Sequence, residues 1–192
     1  YYICKVLEQL CELVCYTIDP YSLSDIELER ANYDAAHYVS HIVELHDDSK
    51  YPQHLARAKA HQGVVALKSR CLEFAVEHFT SAFCWANYYN IFVLEEIEQY
   101  FDEVIRIIPQ LQDISPADIR FLSLPPKSVG VDVASAFCRK VSEAISIEWK
   151  SYIVDDTPKK RQRIHLLAEG LNKKARDIEM HRYSLFRAIR SS

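Results

Sequence analysis

Glycine supplies only three of the 192 residues, Gly63, Gly130 and Gly170. An average chain carries about 7% glycine. The material for tight hairpins, phosphate-cradling loops and a dinucleotide-binding turn is therefore missing. What remains suits helices joined by short connections. At 49% hydrophobic and 26% charged, the chain has enough apolar surface for one good core or two small ones. The same figures exclude collagen-like, mucin-like and fully disordered chains.

The apolar spacing agrees. In residues 2–18, Ile3, Val6, Leu7, Leu10, Leu13, Val14 and Ile18 recur at intervals of 3 and 4, which predicts a helix with a broad apolar face. Asp19-Pro20 ends it. Ser24-Asp25-Ile26-Glu27 fits a capping box and opens a helix to about Leu45. After the polar stretch His46–Lys50, Pro52 suits a first helical turn. Residues 54–89 read as two helices with a boundary near Ser69-Arg70, and Val93 to Ile108 as another, stopped by Pro109. Ser115-Pro116 marks a short fresh start. Ser123–Gly130 is the clearest loop, and a candidate boundary between a helical-hairpin domain over 1–122 and C-terminal helices over 131–192. Whether the two form one domain stays open at this level. Ile107–Ile108 and Val129–Val133 could be locally extended, and a helix runs from about Asp132 to Ile153. Asp155-Asp156 is the next punctuation, and the last helix runs from Thr157-Pro158 to about Ile189. The expectation is an all-α fold of about seven helices in antiparallel hairpins, forming a solenoid or a bundle.

Charge is uneven. The net is −4, yet residues 157–192 hold ten Lys/Arg against three Asp/Glu, which is +7 and leaves −11 on the rest. An acidic body ends in a basic segment. No run approaches the 18 apolar residues of a membrane span, so no membrane is expected as a partner. The six cysteines, Cys4, Cys11, Cys15, Cys71, Cys84 and Cys138, contain no C-x-x-C pair. Cys11 and Cys15 interleave with Leu7, Leu10 and Val14, which reads as core packing of reduced thiols in an intracellular protein.

One segment carries a more specific pattern. Gly63 falls inside a helix, where glycine costs about 1 kcal/mol relative to alanine. Ala75, Phe79 and Ala82 follow. Small residues let two helices approach, and the aromatic fills the groove between them. These four residues match the small, small, large, small positions of a tetratricopeptide repeat, which the segment over about 56–89 resembles. It is also similar to the helical repeats of the large scaffold subunits of the proteasome lid and the COP9 signalosome. Lys59, Ala66, Arg70 and Asn87 depart from the repeat, which prefers Trp, Tyr, Gly and Pro there. The resemblance implies a non-catalytic protein-binding scaffold in which the other helices are divergent repeats or caps.

The motifs of catalysis are sparse. No G-x-S-x-G, S-x-x-K set or Gly-rich loop occurs, so no catalytic residue, cofactor or enzymatic activity is expected. His37 and His41, one turn apart with Asp34 before them, could place metal ligands on one face, but lack the Glu of H-E-x-x-H; a polar helix face is the preferred reading, with no metal. Trp85, Tyr88, Tyr89 and Tyr100 cluster in sequence among Glu95, Glu96, Glu98, Asp102 and Glu103. Acidic neighbours suit a protein-binding groove better than a stacking platform for bases. Lys159, Lys160, Arg161 and Arg163 resemble a nuclear import signal, and Thr157-Pro158 a proline-directed phosphorylation site at a helix start. The expected function is a scaffold or adaptor, a subunit of a multi-protein intracellular complex, nuclear or nucleo-cytoplasmic. The alternative is nucleic-acid association through the basic segment.

Overall fold

The computed structural model describes residues 2–18, 24–46, 52–89, 91–111, 114–152 and 157–190, leaving aside the side chains of 46, 88, 89, 91 and 182–190. The expected break at 47–50 and the punctuation at 155–156 lie outside the described residues. Among the described residues the chain is all-α, without strands, and its helices pack against one another. In order they are α1 (Tyr2–Thr17), α2 (Asp25–His46), α3 (Pro52–Lys68), α4 (Leu72–Tyr89), α5 (Ile91–Ile107), α6 (Pro116–Phe121), α7 (Gly130–Glu148) and α8 (Pro158–Arg190). Short 3₁₀ turns continue α5 through Ile108–Gln110 and α7 through Trp149–Tyr152. The helix beyond the seven expected is α6, six residues read from sequence as a short turn. The Val129–Val133 stretch is extended only at Val129, and α7 begins at Gly130; Ile107–Ile108 are not extended either, since Ile107 ends α5 and Ile108 begins the 3₁₀ turn.

Local chemistry sets several helix starts. Ser24 and Glu27 exchange hydrogen bonds as a capping box: the Ser24 N–H donates to Glu27 Oε2 at 2.8 Å, and the Glu27 N–H to Ser24 Oγ at 3.4 Å. Ser115 accepts from the Asp118 N–H at 3.0 Å with Pro116 behind it. Thr157 accepts from the Lys160 N–H at 3.3 Å and opens α8.

Two ends use the left-handed region without glycine. After α3, the N–H of Cys71 reaches the Ala66 carbonyl and that of Arg70 the Leu67 carbonyl, with Arg70 at φ 61°. After α6, the same pattern recurs at Ser123, φ 58°. Both are Schellman ends, where glycine is the usual occupant. Arg70 is one of the residues that depart from the tetratricopeptide pattern; the backbone there takes a glycine's conformation without the glycine.

The hairpin of α3 and α4 forms the centre. A Cβ built on Gly63 would lie 2.7 Å from Phe79 Cδ2, so the missing side chain is what lets that ring sit against α3. Ala75, Phe79 and Ala82 are fully buried. The Phe79 ring then meets Phe101 of α5 edge-on at 5.2 Å and Phe137 of α7 at 6.5 Å, and Phe101 stacks on Phe137 at 5.7 Å. One apolar core thus runs across the Ser123–Gly130 loop, from Cys15 to Ala175. A smaller cluster of Cys11, Val39, Ile42, Leu55 and Ala58 joins α1 and α2 to α3. Cysteines occupy the inner face of α1 while Ile3, Val6 and Leu13 face outward, so the broad apolar face read from sequence divides into two.

At the other side, α8 lies along α7. Ser135 Oγ donates to the Ala175 carbonyl at 3.2 Å and Ser142 Oγ to the Ala168 carbonyl at 2.8 Å. Arg139 grips Glu179 through both carboxylate oxygens, at 2.9 and 2.8 Å.

The glycines give a paired test by chemical denaturation. Gly63→Ala gains helix propensity but must displace a fully buried ring, and the expected net loss is about 1–3 kcal/mol. Gly170 has open space around its Cα, so Gly170→Ala is expected to gain about 0.5–1 kcal/mol.

Candidate functional site

The expected aromatic groove is distributed over more than one place. Trp85, half-buried on α4, meets Tyr152 edge-on at 5.5 Å beside the turn after α7. Tyr100, half-buried on α5, stands edge-on to His61 of α3 at 4.7 Å. The two rings lean on different elements. Tyr88 and Tyr89 belong to the last turn of α4, and their side chains lie outside the described residues.

Beneath Tyr100 is a polar cluster that the sequence reading passed over. Arg57 of α3 donates from Nε to Glu96 of α5 at 2.5 Å, and its Nη1 lies 3.9 Å from Glu8 of α1. Glu8 also contacts His54 Nδ1. One guanidinium therefore ties three helices through two carboxylates. Burial raises Glu8 above the usual carboxylate range against the pull of His54 and Arg57. Burial works against the charge of Arg57, yet Glu96 and Glu8 hold its pKa above the ordinary value. Burial and then the charge on Arg57 push His61 down to about 4. Tyr100 is pushed up to about 12 by burial and by acidic neighbours that include Glu12 and Glu96. A signal was present: His54, Arg57 and His61 fall at intervals of 3 and 4 on one face of α3, and Glu96 and Tyr100 one turn apart on α5.

This arrangement stores charge and joins elements. It does not raise a thiolate: burial pushes Cys11, Cys84 and Cys138 up to about 12, and Cys15 upward as well. Cys15 Sγ instead donates to the His61 carbonyl at 3.0 Å. His37 and His41 do adjoin, edge-on at 4.5 Å, but His41 Nδ1 faces Glu44 at 3.1 Å and Asp34 faces Arg30 at 4.0 Å. Among the described residues, no group of three or more His, Cys, Asp or Glu is placed to hold a metal ion. No helix among them is long and apolar enough to cross a membrane.

The basic segment is wound into α8, with Lys159 and Arg161 exposed and Lys160 and Arg163 half-buried. Import receptors read such runs in extended form, so that use would require the first turns of α8 to open. Further along, Lys174 pairs with Asp102 of α5 and lies 6.0 Å from the Phe101 ring centre. Part of the basic tail is therefore docked on the acidic body of the same chain.

Compared with known protein families, curated proteins and solved structures, the chain matches none. The tetratricopeptide likeness stands on the Gly63, Ala75, Phe79 and Ala82 packing alone.

The buried His61 sets a pH dependence. Unfolded, it protonates near its ordinary value of 6.5; folded, it does so only near 4. Between these values the unfolded chain binds more protons. Stability is therefore complete above about pH 6.5 and falls as the pH drops towards 4, by at most about 1.4 kcal/mol per pH unit for this group. Urea unfolding at a series of pH values from neutral to mildly acidic is expected to show that decline, to which His78, pushed down to about 4 by burial and then by the charge on Lys59, also contributes; His61→Phe is expected to reduce the decline by about half, and His61→Phe with His78→Phe to remove most of it.

Proposed function

We propose that the chain is a non-catalytic interaction scaffold, a subunit of a larger intracellular assembly. The observation that supports this reading is the way Trp85 and Tyr100 are presented. Each ring is braced from beneath by a second ring, Tyr152 or His61, while part of it stays open to solvent. Rigid, partly desolvated Trp and Tyr are the usual anchors of protein interfaces. The outer face of α5 adds Glu95, Glu98 and Glu103, all exposed, which favour a basic partner segment. Such a scaffold would work by shape, with the helical hairpin holding the aromatics in place.

A second reading keeps nucleic acid as the partner. It is favoured by the exposure of Lys159, Arg161, Lys173 and Arg176 on α8. Contacts of that kind would be salt-dependent and indifferent to sequence. The same basic run carries the nuclear or nucleo-cytoplasmic assignment. Thr157 is the phosphorylation candidate, since a phosphate there would meet the N-terminal dipole of α8.

Affinity capture from cell extract, with and without nuclease, separates the two. A stoichiometric protein partner that resists nuclease is expected, weakened on the order of tenfold or more by Trp85→Ala in a variant with unchanged helicity. Recovery that is nuclease-sensitive, and lost on charge reversal at Lys159 and Arg161, would put the second reading first.

A further inference from the structure

Lys59 is a cation that the fold leaves unanswered. Two residues on from Arg57, it leaves α3 on nearly the opposite side and meets the charges of α4. It is half-buried, and it stands where a tetratricopeptide pattern prefers a tryptophan. Among the described residues its ammonium makes no hydrogen bond and no ion pair. Glu77 of α4 attracts it from a distance, but that side chain is exposed and makes no ion pair either. Burial works against the charge and lowers the Lys59 pKa. An enclosed charge without a partner costs free energy that something must offset.

Two groups with unused hydrogen-bonding capacity lie near it. Gln62, one turn along α3, is only 8% exposed, and its Oε1 is enclosed with no partner. An amide can turn its NH2 inward in place of its oxygen, so this position can donate. His78 of α4 lies near enough for the Lys59 charge to act on it, and its Nδ1 is likewise enclosed without a partner. A neutral imidazole carries one N–H, which it can hold on Nδ1. Phe74 stacks on that ring at 6.5 Å and is itself 56% exposed. All three groups would be satisfied by the same thing, a small acceptor with negative charge.

We propose that Lys59, Gln62 and His78 form a binding site for a small oxyanion, the carboxylate or phosphate group of a ligand. The ammonium supplies the charge, and the amide and imidazole N–H groups supply direction. A single positive charge suits a singly charged group. Phe74 gives an apolar rim for the body that carries it. Glu77, exposed beside the site, opposes ligands of higher charge. The site shares no residue with the Trp85 and Tyr100 anchors and stands independently of the scaffold reading.

Sodium phosphate and sodium acetate, titrated separately into the intact chain at constant ionic strength with chloride as the balance, test it. NMR reads the His78 ring nitrogens and the Lys59 methylene beside the ammonium. A saturable shift at both is expected, with a dissociation constant on the order of millimolar, and the tighter of the two probes identifies the group. Lys59→Met keeps the stem and removes the charge, so saturation at His78 should vanish while the chain stays folded in chloride. His78→Phe, read at Lys59, should weaken binding on the order of tenfold. Glu77→Gln removes a repelling charge and should tighten it several-fold. Shifts that grow without saturating would overturn the proposal, as would saturation unaltered by Lys59→Met. So would a Glu77→Gln chain that is less stable and binds no better, because Glu77 would then be the counter-ion of Lys59.

Discussion

The contact between Gly63 and the Phe79 ring is what the rest of the structure depends on. A ring can lie flat against a helix only where that helix has no Cβ. Once seated, Phe79 becomes the surface on which Phe101 and Phe137 are placed, and these two fix where α5 and α7 cross the hairpin. The helix-propensity penalty at Gly63 is thus local, while its benefit is spread over four helices. A single absent methyl group positions the centre of the core.

Those parts of the fold that depend on neighbours in sequence were readable in advance. The capping box at Ser24, the cap at Ser115 and the small–large–small spacing from Gly63 to Ala82 are all local patterns, and each is found in the structure. What was not readable joins residues far apart. Arg57 meets Glu96 across 39 positions, and Lys174 meets Asp102 across 72. Counting charges revealed a basic segment but not that part of it folds back on the acidic helices. The aromatics were a different case. Trp85 and Tyr100 are close in sequence, yet they stand on different helices and meet different neighbours. In α1 the apolar period was recognised, but one period can serve two faces, and only packing shows that the cysteines took the inner one.

Charge is arranged to join elements. Arg57 sits between two carboxylates, Arg139 grips Glu179, and Lys174 reaches Asp102. Exposed pairs of this kind contribute about 0–1 kcal/mol each, so their use is more in choosing which helices meet than in holding them. The Arg57 site is the most enclosed, and removing one member there leaves the others without their counter-charge. This explains why a polar cluster can persist beside a core of aliphatic side chains built around a phenylalanine cluster.

Gly130 offers a different lesson. Its Cα comes so near Pro109 that a Cβ would lie 2.7 Å from the proline backbone. The chain therefore leaves the core at Pro109, makes α6 and its turns, and re-enters beside its point of departure. Such an excursion is closed at its neck by packing, whatever its covalent path. Pro125, Pro126 and Lys127 at its tip are exposed. An interruption there would separate the polypeptide into two pieces still clasped by the phenylalanine cluster. The loop that looks like a domain boundary is better understood as a place where continuity of the chain and continuity of the fold are independent of each other.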